Sequence, residues 1–472
     1  MNPTGIPGFD ELVGGIPKGE LVIVAGGPGT GKTIFSSSFL YWGAVKYGER
    51  GVYVSFAEDR NAFMRNMRGL GFDFEKLEQE GLFRFLDLLT LMEAGTSELF
   101  EVILNEVSSF GAQRLVIDSL TAIVQGMTSP RELRVFLHSL LSRIMKSMNC
   151  TTILIEEVPV GGRRIGYGFE EFVASAVILL ERTHLKDKFL RRLRIIKLRG
   201  AEIPNPRACF TLKNGFKAFP PSTIKLPEKA LKIQPLPDPP GAHSTGIRDL
   251  DELLGGYPKA GLALLEVDAR IGPTQLSLIV DPTMINALQN GKPVILIPPV
   301  TMGLENLKTV FSHYGAPIEE FEAGLRIILA KGPGEKYGAP NYLITHRGES
   351  LEITLERLAF TIKELVKRAG KPPICILSSD ALAFHYGSQG VLQTLHRLIA
   401  VAKETDGLIL CVMESTFPEL AQSLPPLSSI YLRLTRKHGC FLLYGVKPRT
   451  QLLAVEADIS DGNLVTRLTP IL

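Results

Sequence analysis

Short apolar runs alternate with longer amphipathic segments through the first half of the chain. "LVIVA" (21–25), "VYVSF" (52–56), "RLVI" (114–117) and "TTILI" (151–155) each predict a strand. "TIFSSSFLYWGAVKYG" predicts a helix that ends near Gly48. "SPRE" puts Ser129 at an N-cap, Pro130 at the first helical position and Glu132 at the third, so it opens a helix that runs to about Met148. Strands alternating with helices predict an α/β fold: a mainly parallel sheet flanked on both faces by helices.

The pattern is used twice. "TGIPGFDELVGGIPK" begins at Thr4 and "TGIRDLDELLGGYPK" at Thr245, with 10 of 15 positions identical at an offset of 241. Between the copies, residues 220–240 contain seven prolines in 21 positions. Proline removes backbone donors and favours extended chain, so this stretch reads as a semi-rigid tether. The expected organisation is a domain over 1–219, a Pro-rich linker over 220–242 and a duplicate domain over 243–472.

Chemistry enters at the end of the first strand. "GGPGTGKT", Gly26 to Thr33, fits G-x-x-x-x-G-K-[ST] and lies between a strand and a helix. Gly26, Gly27, Pro28, Gly29, Thr30 and Gly31 would turn backbone N–H groups around an anion, and the helix N-terminus beginning through Ile34 adds partial positive charge. Lys32 reaches the β- and γ-phosphates of a nucleotide, and the Thr33 hydroxyl ligates Mg²⁺. Asp118, ending "RLVID", suits a magnesium partner one shell further out.

These residues, with "YGFEEFVASAVILL" (167–180) and "IIKLRG" (195–200), resemble the KaiC-like ATPases of the RecA superfamily over nearly all of the first half. The resemblance implies tandem RecA-like P-loop NTPase domains, ATP and Mg²⁺ as cofactors, and a homo-oligomer, a hexameric ring with ATP between neighbouring subunits. It also implies that Lys197 and Arg199, in "KLRG", reach the γ-phosphate of the adjacent subunit. The family's paired glutamates after the second strand are only half present. Ala57 stands at the first position, where the water-activating glutamate belongs, and Glu58 follows it. Glu58 is the candidate base; Glu156 and Glu157, ending "ILIEE", are a second carboxylate pair at a strand end.

The second copy carries "VDARIGPT" (267–274) in the register of the phosphate loop. Val267, Asp268 and Arg270 replace glycines and Pro273 replaces the lysine. Pro299 and Val300 stand where Ala57 and Glu58 do, and Ser378 falls where Asp118 would, with Asp380 two residues on. Each change disfavours a bound phosphate. A nucleotide is therefore expected in the first domain alone, with packing, ring assembly or partner contact left to the second. "GVKPRTQLL" lacks the R-G-S-x-H context of the family's autokinase, and the chain stops at Leu472, so neither an autokinase nor a clock role is expected.

Composition narrows the rivals. The net charge is +3 and 21% of residues are charged, which by itself implies neither a nucleic-acid nor a membrane partner. Five scattered cysteines without a C-x-x-C pair read as buried free thiols in a reducing compartment, the cytoplasm. The leading reading is a slow ATPase or ATP-dependent switch, with an unidentified protein client. Two rivals stand beside it: a nucleic-acid motor or recombinase, suggested by Arg163, Arg164 and Tyr167 in "PVGGRRIGYG", and a scaffold that binds ATP without hydrolysing it, suggested by Ala57.

Overall fold

A computed structural model describes the chain except residues 90–95, 126–134, 136, 138–139, 160–172, 222–223, 225–226, 228–229, 331–339, 347 and 415–416. The chain forms two compact units. One comprises Met1–Ser222 with His438–Cys440 and Pro470–Leu472, the other Thr223–Lys437 with Phe441–Thr469.

The strands of the first unit are β1 (Leu21–Gly26), β2 (Gly51–Ser55), β3 (Phe83–Asp87), β4 (Arg114–Asp118), β5 (Thr151–Glu157), β6 (Ala176–Leu185), β7 (Lys188–Leu198), β8 (Arg207–Thr211) and β9 (Lys217–Phe219). They form one sheet in the order β3-β2-β4-β5-β1-β6-β7-β8-β9. From β3 to β6 neighbours are parallel; from β6 onward they are antiparallel. Every residue of β1 is buried. Val22 and Val24 enter one core with Phe35, Phe39 and Tyr53, while Leu21, Ile23 and Ala25 enter another with Val54, Leu115 and Ile117. A strand covered on both faces has no polar positions to alternate, which is why its sequence is a plain apolar run.

In the second unit the strands are β10 (Ala242–His243), β11 (Tyr257–Pro258), β12 (Gly261–Val267), β13 (Val294–Ile297), β14 (Leu325–Ala330), β15 (Leu343–His346), β16 (Ile374–Ser378), β17 (Leu408–Glu414), β18 (Ile430–Lys437), β19 (Cys440–Lys447), β20 (Leu453–Asp458) and β21 (Val465–Pro470). Its main sheet runs β15-β14-β13-β16-β17-β12-β18-β19-β20-β21. Without the extra edge strand β15, this is the strand order of the first unit. Both sheets have the RecA-like α/β architecture that the sequence implied.

The residues shared by the two copies hold the same turn. Asp10 accepts from the backbone N–H of Thr4 and Gly5 at 2.9 and 2.8 Å, and Asp251 accepts from that of Thr245 at 2.7 Å. Gly5 and Gly246 have φ of 79° and 75°, the left-handed region in which a side chain is strained. A Cβ on Gly246 would also lie 2.1 Å from the Pro282 carbonyl oxygen. The identities in the repeat are thus scaffold, not chemistry.

Two details depart from the pattern. Part of the Pro-rich stretch is tied to the second unit: Leu236 N–H donates to Asn286 Oδ1 at 2.6 Å, and Lys292 Nζ donates to Asp238 Oδ1 at 2.7 Å. The helix expected up to Met148 ends in a wide π-helical stretch, Leu140–Ser147, and its Ser129–Glu132 start lies outside the described residues.

Candidate functional site

The loop after β1 leads directly into the helix Lys32–Tyr47, capped at its far end by Gly48. Gly29 and Gly31 have φ of 67° and 98°. A Cβ on Gly26 would stand 2.5 Å from Thr30 Oγ1 and 2.6 Å from the Leu180 carbonyl oxygen, so only glycine lets the chain turn there. Lys32 Nζ donates to the Gly27 carbonyl at 3.0 Å. Burial holds the Lys32 ammonium below its ordinary pKa, opposed by the charges of Glu157 and Asp118.

Those carboxylates arrive from neighbouring strands. Parallel pairing sets Gly26 beside Glu157 and Ser55 beside Asp118. Thr33 Oγ1 donates to Asp118 Oδ2 at 2.9 Å, and Tyr53 OH donates to the same oxygen at 2.6 Å. Tyr53 is a site residue that the sequence reading missed. The signal was available: a tyrosine in a fully buried strand needs a partner for its hydroxyl.

Glu58 follows β2. Its N–H donates to Ser55 Oγ at 3.0 Å, and its carbonyl accepts from the same hydroxyl at 2.7 Å, which fixes the turn. Its carboxylate is half-buried and accepts from Asn66 Nδ2. Burial raises its pKa; Asn66 opposes this, and the charge of Asp118 adds to it. Ala57 is exposed, Glu156 is buried and Glu157 is exposed.

Lys197 and Arg199 are not brought to this loop. Lys197 pairs with Val177, which pairs with Ile23; Arg199 N–H donates to the Ser175 carbonyl, and Ser175 N–H to that of Leu21. Arg199 therefore sits level with the start of β1, five residues and roughly 16 Å of strand from Gly26. No arginine side chain spans that within one subunit. A different arginine does meet the loop: Arg191 Nη1 donates to the Gly29 carbonyl at 3.1 Å. Burial and the nearby Arg182 lower its pKa. In the basic run 191–199, Arg191 thus holds a carbonyl of the loop, while Arg192 pairs with Glu181 at 2.9 Å. Arg163, Arg164 and Tyr167 lie outside the described residues.

The matching loop of the second unit is closed on itself. Arg270 donates to both carboxylate oxygens of Asp268, at 2.8 and 2.7 Å, and Thr435 Oγ1 donates to Asp268 Oδ2 at 3.0 Å. Pro273 opens the helix Pro273–Gln289, and Gln275 Oε1 accepts the Gly272 N–H at 2.8 Å, a donor that would otherwise face an anion. Ser378 Oγ donates to Asp380, whose other oxygen accepts the Val300 N–H at 3.1 Å.

Comparison with known proteins shows the family of the chain. The family model described as "ATPase: KaiC" matches residues 2–219. The circadian clock oscillator protein KaiC of Synechococcus elongatus is 30% identical over 367 residues, covering 75% of this chain and 68% of that protein. The chain belongs to the KaiC-like ATPase family. It spans about two thirds of the curated KaiC proteins it matches, 65% in the case of Parathermosynechococcus lividus, where identity is 32%. A UPF0273 protein of Methanocaldococcus jannaschii is 34% identical over 239 residues, covering 47% of this chain and 98% of that protein. A solved KaiC-like protein from Pyrococcus horikoshii, 37% identical, covers 46% of this chain and 98% of its own, with a TM-score of 0.42. Among the described residues no helix is long and apolar enough to cross a membrane.

Proposed function

We propose that this KaiC-like chain binds ATP with Mg²⁺ in its first unit only and acts as a slow ATPase or ATP-dependent switch, with ATP held between subunits of a ring. The contrast between the two loops carries this reading. One loop presents Lys32 and the Thr33–Asp118 pair; the other has spent its polar groups on one another.

The first loop fits the cofactors. Thr33 Oγ1, oriented by Asp118, would hold a magnesium ion together with water and phosphate oxygens, and the ion would supply charge neutralisation at the β- and γ-phosphates. Lys32 would bind the terminal phosphates, with Asp118, held by Tyr53, orienting Thr33. Glu58 is the nearest counterpart of the family's base and would accept a proton from water. Lys197 and Arg199 would serve the neighbouring subunit's nucleotide, since Arg199 stands level with the start of β1 and Lys197 with its middle, both short of their own loop.

Ala57 favours a second reading, a scaffold that holds ATP without turning it over. Nucleotide titration and phosphate release on the wild-type chain and Lys32→Ala separate these readings. One Mg·ATP per chain, lost in Lys32→Ala, is expected. Two equivalent sites, or unchanged binding by the variant, would refute the one-site proposal. Binding without phosphate release selects the scaffold.

A further inference from the structure

The second unit has a cavity that the loss of its phosphate loop does not explain. It has a volume of about 510 Å³ and opens beyond the C-terminal ends of β13 and β14. That is the side of an α/β sheet where ligands collect, and the size falls within the roughly 300–1,000 Å³ of small-molecule sites. Ile297, Ile328, Leu355 and Leu358 line it, with Val300 and Phe384 at 52% and 74% exposure.

Its polar side is organised. His346, 8% exposed, accepts the Gly348 N–H at Nδ1 (3.1 Å), which leaves the proton on Nε2 to be donated to Tyr386 OH. Tyr386 OH lies 2.8 Å from Thr354 Oγ1, and Thr354 Oγ1 donates to the Ser350 carbonyl at 3.1 Å. These groups are matched to one another. His385, whose ring centroid is 5.3 Å from that of His346, lines the same cavity and supplies an imidazole donor and acceptor. Among the described lining residues there is no Asp, Glu, Lys or Arg. The described lining offers an ionic ligand no counter-charge and is mostly apolar, which favours a neutral, apolar ligand over a charged one.

We propose that this cavity binds a neutral, largely apolar small molecule carrying a single hydrogen-bonding group, such as a hydroxyl or carbonyl, directed at His385. The degenerate unit would then have exchanged a phosphate ligand for an apolar one at the same end of its sheet.

The test uses the full chain and Nile red, a neutral apolar dye, followed by fluorescence. Saturable binding of one dye per chain is expected, with 1-decanol displacing it at least tenfold more effectively than decanoate. Ala381→Phe and Leu358→Trp fill the cavity and should weaken dye binding at least tenfold while ATP binding by the first unit is kept. The decanol–decanoate contrast is read on the wild-type chain, so the outcome does not depend on either variant folding. Equal displacement by the anion, non-saturable binding, or unchanged dye affinity in a folded filled variant would overturn the proposal.

Discussion

At the residue scale the proposed base is Glu58. A general base is typically worth about 10²–10⁴ in rate, so Glu58→Gln should lower phosphate release by that order, with Glu156→Gln and Glu157→Gln affecting it less and ATP affinity kept in all three. The base must be ionised, and burial raises its pKa, so the acid limb of the pH–rate profile should fall at higher pH than for an exposed glutamate. Unchanged turnover in Glu58→Gln alongside a loss in Glu157→Gln would move the role to Glu157, which already neighbours Lys32 electrostatically. Asp281 gives a second residue-scale prediction. It lies in the helix that follows the degenerate loop; its Oδ2 has no partner among the described residues, and burial pushes its pKa up to about 8. In the folded chain it holds a proton that the unfolded chain releases near pH 4. The associated stability is fully present below pH 4 and is lost as pH rises toward 8, by at most about 1.4 kcal/mol per pH unit. Thermal melts at pH 5, 6.5 and 8 should show the second unit's melting temperature falling with pH, and Asp281→Asn should flatten that trend.

Some residues were legible in sequence and others were not, for physical reasons. Lys32 and Thr33 belong to a motif whose spacing fixes their geometry, and Asp118 was legible as a carboxylate ending an apolar strand. Tyr53 and Arg191 act by tertiary contact, which spacing does not encode. Asp281 sits in an apolar helix with nothing in its neighbourhood to announce a buried acid.

At the scale of elements, the four quoted runs of the first unit became strands because each is buried on both faces, and burial of that kind leaves a plain sequence signature. The extra edge strand β15 and the break at Gly387 inside the helix Ser379–Thr405, with φ of 68°, leave no such signature. The loop of the second unit was legible as a loss, but not as a closed structure. Closure has a consequence for repair. Pro273→Lys restores the ammonium but leaves Asp268 paired with Arg270 and Gln275 on the Gly272 N–H. Nucleotide stoichiometry in Pro273→Lys should therefore stay at one per chain by calorimetry; a second site would mean that the lysine alone was missing. Arg114 gives the complementary case in the first unit. It is fully buried at the start of β4 and donates to the carbonyls of Pro3, Thr4 and Phe39 at 2.9, 2.8 and 2.6 Å, and to Glu49. Glu49→Ala strands that charge and should destabilise the first unit by about 3–5 kcal/mol, read by denaturant unfolding.

At the scale of the whole molecule, the position of Lys197 and Arg199 turns an architectural claim into a kinetic one. If they serve only the neighbouring subunit, a site is built from Lys32 of one copy and Arg199 of the next, and a head-to-tail interface of this kind gives a ring when the rotation between copies closes and an open filament when it does not. Mass measurement with saturating ATP should then give a closed oligomer, with a hexamer expected, and a strict monomer would exclude the arrangement. The sharper test mixes two inactive variants. Lys32→Ala cannot hold nucleotide, and Arg199→Ala cannot complete its neighbour's site, so each alone should release little phosphate. After dissociation and reassembly at equal amounts, about a quarter of the interfaces pair an intact Lys32 with an intact Arg199, and phosphate release should recover to about that fraction of wild type. If Arg199 acted within its own subunit, the mixture would recover nothing by this route, because Lys32 would be missing from one chain and Arg199 from the other. Activity of the mixture no greater than the mean of the two variants would therefore place Arg199 outside the neighbouring site.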